Sequence, residues 1–140
     1  MTYEETLHYL YTSIPVFQHS GASAYKPGLG TSIALDDYLG NPHKAYKTIH
    51  VAGTNGKGSV SHLLAAILRQ SGFKVGLYTS PHLVDFRERI RVNGKKISQD
   101  YVVDFVERHR SFFEPLHPSF FELTSSMACL LYTSDAADDR

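Results

Sequence analysis

The chain has 140 residues, enough for one domain with a buried core, and its 42% apolar and 20% charged content fits a globular protein rather than a disordered or fibrous one. Fourteen Lys and Arg residues balance fourteen Asp and Glu residues, so overall charge selects no nucleic-acid partner, and no apolar run approaches a membrane span. One cysteine, Cys129, excludes an intrachain disulfide, and Glu4 and Glu5 stand where a signal peptide would be positive, so the sequence reads as a cytoplasmic protein.

Thr2 and Glu5 have the spacing of a capping box, and Tyr3, Leu7, Leu10, Tyr11 and Ile14 continue it with helical periodicity up to Pro15. Gly21, Pro27, Gly28 and Gly30 predict a loop over residues 15–30. A short helix follows over residues 32–39, stopped by Gly40 and Pro42. Residues 47–52 predict a strand. From Ser59 onward, Val60, Leu63, Leu64, Ile67 and Leu68 form an amphipathic helical stripe that Gly72 closes. Residues 74–79 predict a second strand, so strand, helix and strand make a βαβ unit with parallel, right-handed connection. His50 falls within the first strand and reads as structural.

Asn93-Gly94 between two short β-prone runs is a type I′ hairpin signal. Ser98 precedes a helix with the stripe Val102, Phe105, Val106, His109 and Phe113. Ser119 and Glu122 form another capping box, opening a last helix to about residue 132. Phe105, Phe112, Phe113, Phe120 and Phe121 read as core rather than as a stacking platform. Between Leu83 and Ile97, Arg87, Arg89, Arg91, Lys95 and Lys96 outnumber Asp85 and Glu88. That excess suits an anionic ligand and equally a solvated hairpin.

The chemistry concentrates in Gly53-Thr54-Asn55-Gly56-Lys57-Gly58-Ser59. Glycines let backbone N–H groups approach an anion, and the N-terminus of the following helix adds the positive end of its dipole. Lys57 can reach the outer phosphates and Ser59 can ligate a magnesium ion. The segment departs twice from the template G-x-x-x-x-G-K-S/T: Gly53 stands closer to the lysine, and the hydroxyl follows one position later. The plain alternative is a glycine-rich turn with a surface lysine. Eight histidines form no H-x-x-H or H-E-x-x-H cluster, so no zinc site is indicated, and no N-K-x-D motif supports a GTPase.

These departures resemble the nucleotide loop of the Mur ligase superfamily, in the form of the folylpolyglutamate synthase/dihydrofolate synthase family. Lys26-Pro27-Gly28-Leu29, Gly40-Asn41-Pro42, Tyr78-Thr79-Ser80-Pro81-His82-Leu83, Glu88-Arg89-Ile90-Arg91-Val92-Asn93-Gly94, Ser119-Phe120-Phe121-Glu122 and Met127-Ala128 resemble that family in order. After Leu29 the family's acidic-basic pair is replaced by Gly30-Thr31. The resemblance implies an α/β fold: a P-loop NTPase-like parallel sheet with flanking helices, an incomplete Mur-ligase central domain. It implies ATP and Mg²⁺ as cofactors and the transfer of L-glutamate onto dihydropteroate or a folate through an acyl phosphate. It places Gly53 to Ser59 on ATP, with Lys57 catalytic and Ser59 and Ser80 on the metal. It puts Lys26, Pro81, His82 and Ser119 near the pteroate or folate. Ser119 has a sufficient local role as a helix cap, as Glu122 has as its capping partner. The complete protein is expected to act as a monomer, without nucleic acid or membrane.

The resemblance covers residues 3–128 and breaks at Cys129. Residues 1–128 therefore read as the N-terminal part of the ATP-binding domain, and residues 129–140 as a non-native tail, an ordinary polar C-terminus being the alternative. A nucleotide-binding fragment without turnover and a Mur-type ligase acting on a cell-wall peptide precursor are the rival functions. Ser80-Pro81-His82-Leu83 speaks against the second.

Overall fold

A computed structural model describes residues 1–14 and 28–138, with side chains described to residue 133. Among the described residues there are five α-helices: α1 (Tyr3–Ser13), α2 (Gly30–Tyr38), α3 (Lys57–Gln70), α4 (Gln99–Phe113) and α5 (Phe120–Asp138). Three short strands, β1 (Gly76–Tyr78), β2 (Ile90–Val92) and β3 (Lys95–Lys96), make one antiparallel sheet in the order β1-β2-β3. Backbone contacts divide the chain into a unit of Met1–Asn41 with Gln99–Met127 and a unit of Pro42–Ser98 with Ala128–Arg140.

The first unit is helical. Its N-terminal capping box forms as expected: Thr2 Oγ1 accepts from Glu5 N at 3.1 Å and Glu5 Oε1 accepts from Thr2 N at 3.2 Å. Ile14, the residue before Pro15, takes an extended conformation, as the proline ring requires of its predecessor, and α1 ends there. Leu10 and Ile14 pack in a core with Val102, Phe105, Val106, Phe113, Phe120, Leu123 and Met127, all under a tenth exposed. The α4 stripe is thus buried as its spacing predicts, apart from half-buried His109. Three of the five phenylalanines expected in the core are there. Phe112 is half-buried under the stacked ring of Tyr38 at 3.8 Å, and Phe121 is 56% exposed.

The second unit holds the sheet, α3 and the glycine-rich loop. The Asn93-Gly94 turn forms with positive φ at both residues, 50° and 81°, as a type I′ turn requires, and registers Val92 opposite Lys95. Phe86, Ile90, Ile97, Leu131 and Tyr132 are buried in this unit. Gly76 is required by close approach: a Cβ there would lie 2.5 Å from the Tyr132 ring.

Two expectations are corrected here. Residues 47–52 form no strand among the described residues, and the sheet contains no parallel pair. A strand is stable only with a hydrogen-bonded neighbour, and β1 bonds antiparallel to β2 instead. Ile49 is accordingly 67% exposed, and His50 is exposed rather than structural. The helix between the two predicted strands does form, but no residue of α3 is buried. Leu64 and Leu68 are half-buried, whereas Val60, Leu63 and Ile67 face solvent.

Candidate nucleotide and substrate site

The glycine-rich loop leads directly into α3. Gly56 is the N-cap, with φ 77°, a left-handed conformation that costs a residue with a Cβ about 1–2 kcal/mol. No side chain caps the helix, so its first N–H groups have no side-chain acceptor. Among the described residues, a Cβ built on Gly56 or Gly58 meets nothing within 4 Å. These features suit a phosphate: open backbone donors, a helix N-terminus and a cation at the mouth.

That cation is Lys57. Its Nζ donates to the Gly53 carbonyl and lies 3.5 Å from the Thr54 carbonyl, folded over its own loop. Main-chain carbonyls are neutral acceptors, so a phosphate oxygen offers the ammonium a stronger, charge-assisted bond. Ser59 is exposed within the first turn of α3. Ser61, one turn after Lys57, returns its hydroxyl to the Lys57 carbonyl at 2.8 Å and is spent on the helix.

Ser80 is exposed just beyond β1, joined to Pro81 by a cis peptide bond. The hydroxyls of Ser59 and Ser80 are neutral, hard oxygen donors that suit Mg²⁺ when phosphates bring the negative charge. Among the described residues no group of three or more His, Cys, Asp or Glu could hold a metal.

The structure gives local roles to two residues, Glu88 and Arg89, to which the sequence assigns no site role. Glu88 accepts from the backbone N–H groups of Leu83 at 3.0 Å, Val84 at 3.2 Å and Asp85 at 2.8 Å. Asp85 returns the favour by accepting from Arg87 N at 3.0 Å, completing a capping box on the short helix Phe86–Arg89. Bonds from the Leu83 and Asp85 amides hold the Glu88 carboxyl down to about 2. Any order that needs Glu88 ionised is therefore present above its ordinary value of 4.5 and is lost as pH falls toward 2.

Arg89, 4% exposed, donates from Nε to Nδ1 of half-buried His82 at 2.7 Å. Burial first, and the Arg89 charge second, push the His82 pKa below the usual imidazole value. With Nδ1 accepting, the hydrogen-bond network assigns the proton of the neutral ring to Nε2, leaving that nitrogen as a donor. The signal for Glu88 was present in the sequence as the Asp85-x-x-Glu88 spacing of a capping box. Nothing local announced the Arg89–His82 pair.

The basic excess of this stretch is largely spent internally. Arg87 and Lys96 reach Asp85 at 3.3 and 3.6 Å, and Arg89 holds His82. Arg87 and Arg89 thus have structural partners, while exposed Lys96 pairs with Asp85 at the surface.

Ser119 belongs to the first unit. Its Oγ accepts from Glu122 N at 3.1 Å and its N–H donates to Glu122 Oε1 at 2.8 Å, the expected capping box. Glu122 Oε2 also accepts from Ser32 at 3.3 Å. Lys26 lies outside the described residues. The structure therefore gathers the glycine-rich loop and Ser80, Pro81 and His82 within one unit and leaves Ser119 to the other.

A glycine-rich loop opening a helix, in a mixed helix and strand fold, is an arrangement that can accept a phosphate. The comparisons with known proteins narrow the class. A dihydrofolate synthase/folylpolyglutamate synthase of Bacillus subtilis is 39% identical over 113 residues, covering 76% of this chain and 26% of its own length. The crystal structure of a folylpolyglutamate synthase from Thermotoga maritima superposes with TM-score 0.82 at 43% identity, over 95% of this chain and 30% of that one. A folylpolyglutamate synthase solved with AMPPCP and folate matches with TM-score 0.79 at 30% identity, over 96% of this chain and 33% of that one. No protein-family profile matches the chain. The chain belongs to the folylpolyglutamate synthase/dihydrofolate synthase family. It spans between 13% and 26% of the length of the first curated relatives it matches. Among the described residues no helix is long and apolar enough to cross a membrane.

Proposed function

We propose that the complete protein carrying this chain is an ATP-dependent ligase that joins L-glutamate to dihydropteroate or to the glutamate tail of a folate. The observation that carries the reading is the likeness, over 96% of the chain, to a folylpolyglutamate synthase solved with AMPPCP and folate. The open, glycine-built loop with Lys57 at its mouth is the chemistry such a reaction needs.

In this reading Gly53, Thr54, Asn55, Gly56 and Gly58 present backbone donors to the ATP phosphates. Lys57 leaves the Gly53 and Thr54 carbonyls for the outer phosphates and neutralises charge as the terminal phosphoryl moves. Ser59 and Ser80 would hold Mg²⁺, which would supply positive charge to offset that of the phosphates. Pro81, His82, Lys26 and Ser119 line the pteroate or folate, with His82 Nε2 as donor to a substrate oxygen. The substrate carboxylate attacks the terminal phosphorus and ADP leaves. The resulting acyl phosphate is attacked by the amine of glutamate, the C–N bond forms, and phosphate departs with the carboxylate oxygen. Activation is needed because an ionised carboxylate does not accept a neutral amine.

The likeness to solved folylpolyglutamate synthases supports assigning the chain to part of a Mur-type central domain. Residues 1–128 are its N-terminal part and residues 129–140 a non-native tail; the reading frame beyond codon 128 tests that division. The single cysteine suits a reducing cytoplasm, and the resemblance implies a monomer when complete.

Isotope transfer tests the acyl phosphate. With ¹⁸O in the substrate carboxylate, the complete protein should deliver one labelled oxygen to phosphate per amide formed. Ligation that leaves phosphate unlabelled would exclude the intermediate.

A further inference from the structure

We propose that Glu88 is a positioning residue for the Ser80-Pro81-His82-Leu83 loop, holding it in the shape that offers Ser80 and His82 to the ligand. The proposal rests on the functional reading above, in which that loop meets the nucleotide-borne metal and the substrate.

The loop is fastened at both ends. Where it leaves β1, Thr79 N donates to the Arg89 carbonyl at 2.9 Å. Where it ends, the Leu83, Val84 and Asp85 N–H groups converge on the Glu88 carboxylate. Midway, the Arg89 guanidinium holds the His82 ring. Consecutive residues Glu88 and Arg89 therefore fix three points of one loop from below. Leu83 and Val84 are 90% and 89% exposed, so apolar packing does not hold this segment. Main-chain bonds to a carboxylate do.

Both carboxylate oxygens are used. Leu83 N meets Oε1, while Val84 N and Asp85 N meet Oε2. Glutamine has the same length but one acceptor, and its amide N–H₂ would face a backbone donor. Aspartate is shorter by one methylene and keeps two acceptors. The two substitutions therefore separate charge and acceptor number from simple filling of space.

The test is made on the full-length protein with two readouts: amide hydrogen exchange at Leu83, Val84 and Asp85, and calorimetric affinity for Mg·ATP. Glu88→Gln is expected to speed exchange at these amides on the order of tenfold and to weaken Mg·ATP about tenfold, with Glu88→Asp between it and the wild type. The reverse order, glutamine like wild type and aspartate worst, would mean that Glu88 only fills space and would overturn the proposal. Faster exchange with unchanged Mg·ATP affinity would overturn it as well, because the cage would then serve the loop without serving the site. A wild type that binds Mg·ATP but ligates no glutamate would sink the ligase reading and leave both readouts for Glu88 intact. A wild type that binds no Mg·ATP would remove both.

Discussion

Helices α3 and α4 have nearly the same length, 14 and 15 residues, and nearly the same apolar spacing, yet they meet opposite fates. In α4, Val102, Phe105, Val106 and Phe113 are buried, packed in a unit that also brings α1 and the first turns of α5. In α3 no side chain is buried, and Leu63 and Ile67 are 64% and 60% exposed. The difference is one of partners rather than of helix. A 3.6-residue stripe says that a helix will form and which face is apolar, but burial requires another element to arrive on that face. Among the described residues, β1 is the element that α3 meets most, and Leu64 and Leu68 of α3 are half-buried. The helix is fixed instead at its ends: by the Gly56 cap, and by the final turn where Gly72 N bonds Arg69 O at 3.0 Å and Phe73 N bonds Leu68 O at 3.1 Å. One helix is part of the core of its unit; the other, in the function proposed above, turns its N-terminus to the phosphates.

Substitutions should reproduce this contrast, beginning with the largest effect. Phe113→Ala removes a fully buried ring from the helical unit and is expected to cost about 3–5 kcal/mol in denaturant unfolding. Less than about 1 kcal/mol would mean that the α4 face is not the core described here. Lys57→Ala should leave unfolding almost unchanged and weaken ATP by about 2–3 kcal/mol, since it removes a charge-assisted contact from an exposed loop. A loss of stability without a loss of nucleotide affinity would make Lys57 a structural lysine. Gly56→Ala places a Cβ on a left-handed residue, and about 1–2 kcal/mol of stability should be lost even though the space around it is open. Leu63→Ala should change unfolding of this chain by less than about 0.5 kcal/mol, because its side chain faces solvent. A cost near that of Phe113→Ala would erase the difference between the two helices.

What could be read from the sequence was local. The Thr2/Glu5 and Ser119/Glu122 capping boxes and the Asn93-Gly94 turn each form between residues at most three apart, and all are present in the structure. The glycine-rich loop and the helix it opens belong to the same kind of signal. Residues 47–52 have the composition of a strand but no ladder partner, and composition carries no information about a partner distant in the chain. The role of Glu88 is legible in its spacing to Asp85, the spacing of a capping box. The Arg89–His82 bond depends on how the chain turns after β1, and no pattern of residue types announces it.

The most direct test of the account is incorporation of labelled glutamate by the complete protein, supplied with ATP, Mg²⁺ and either dihydropteroate or a folate, for wild type and for Lys57→Ala. The account predicts ATP-dependent glutamate incorporation with at least one of these acceptors and its near-abolition by the substitution. No incorporation with any acceptor, or incorporation that survives the loss of Lys57, would contradict it.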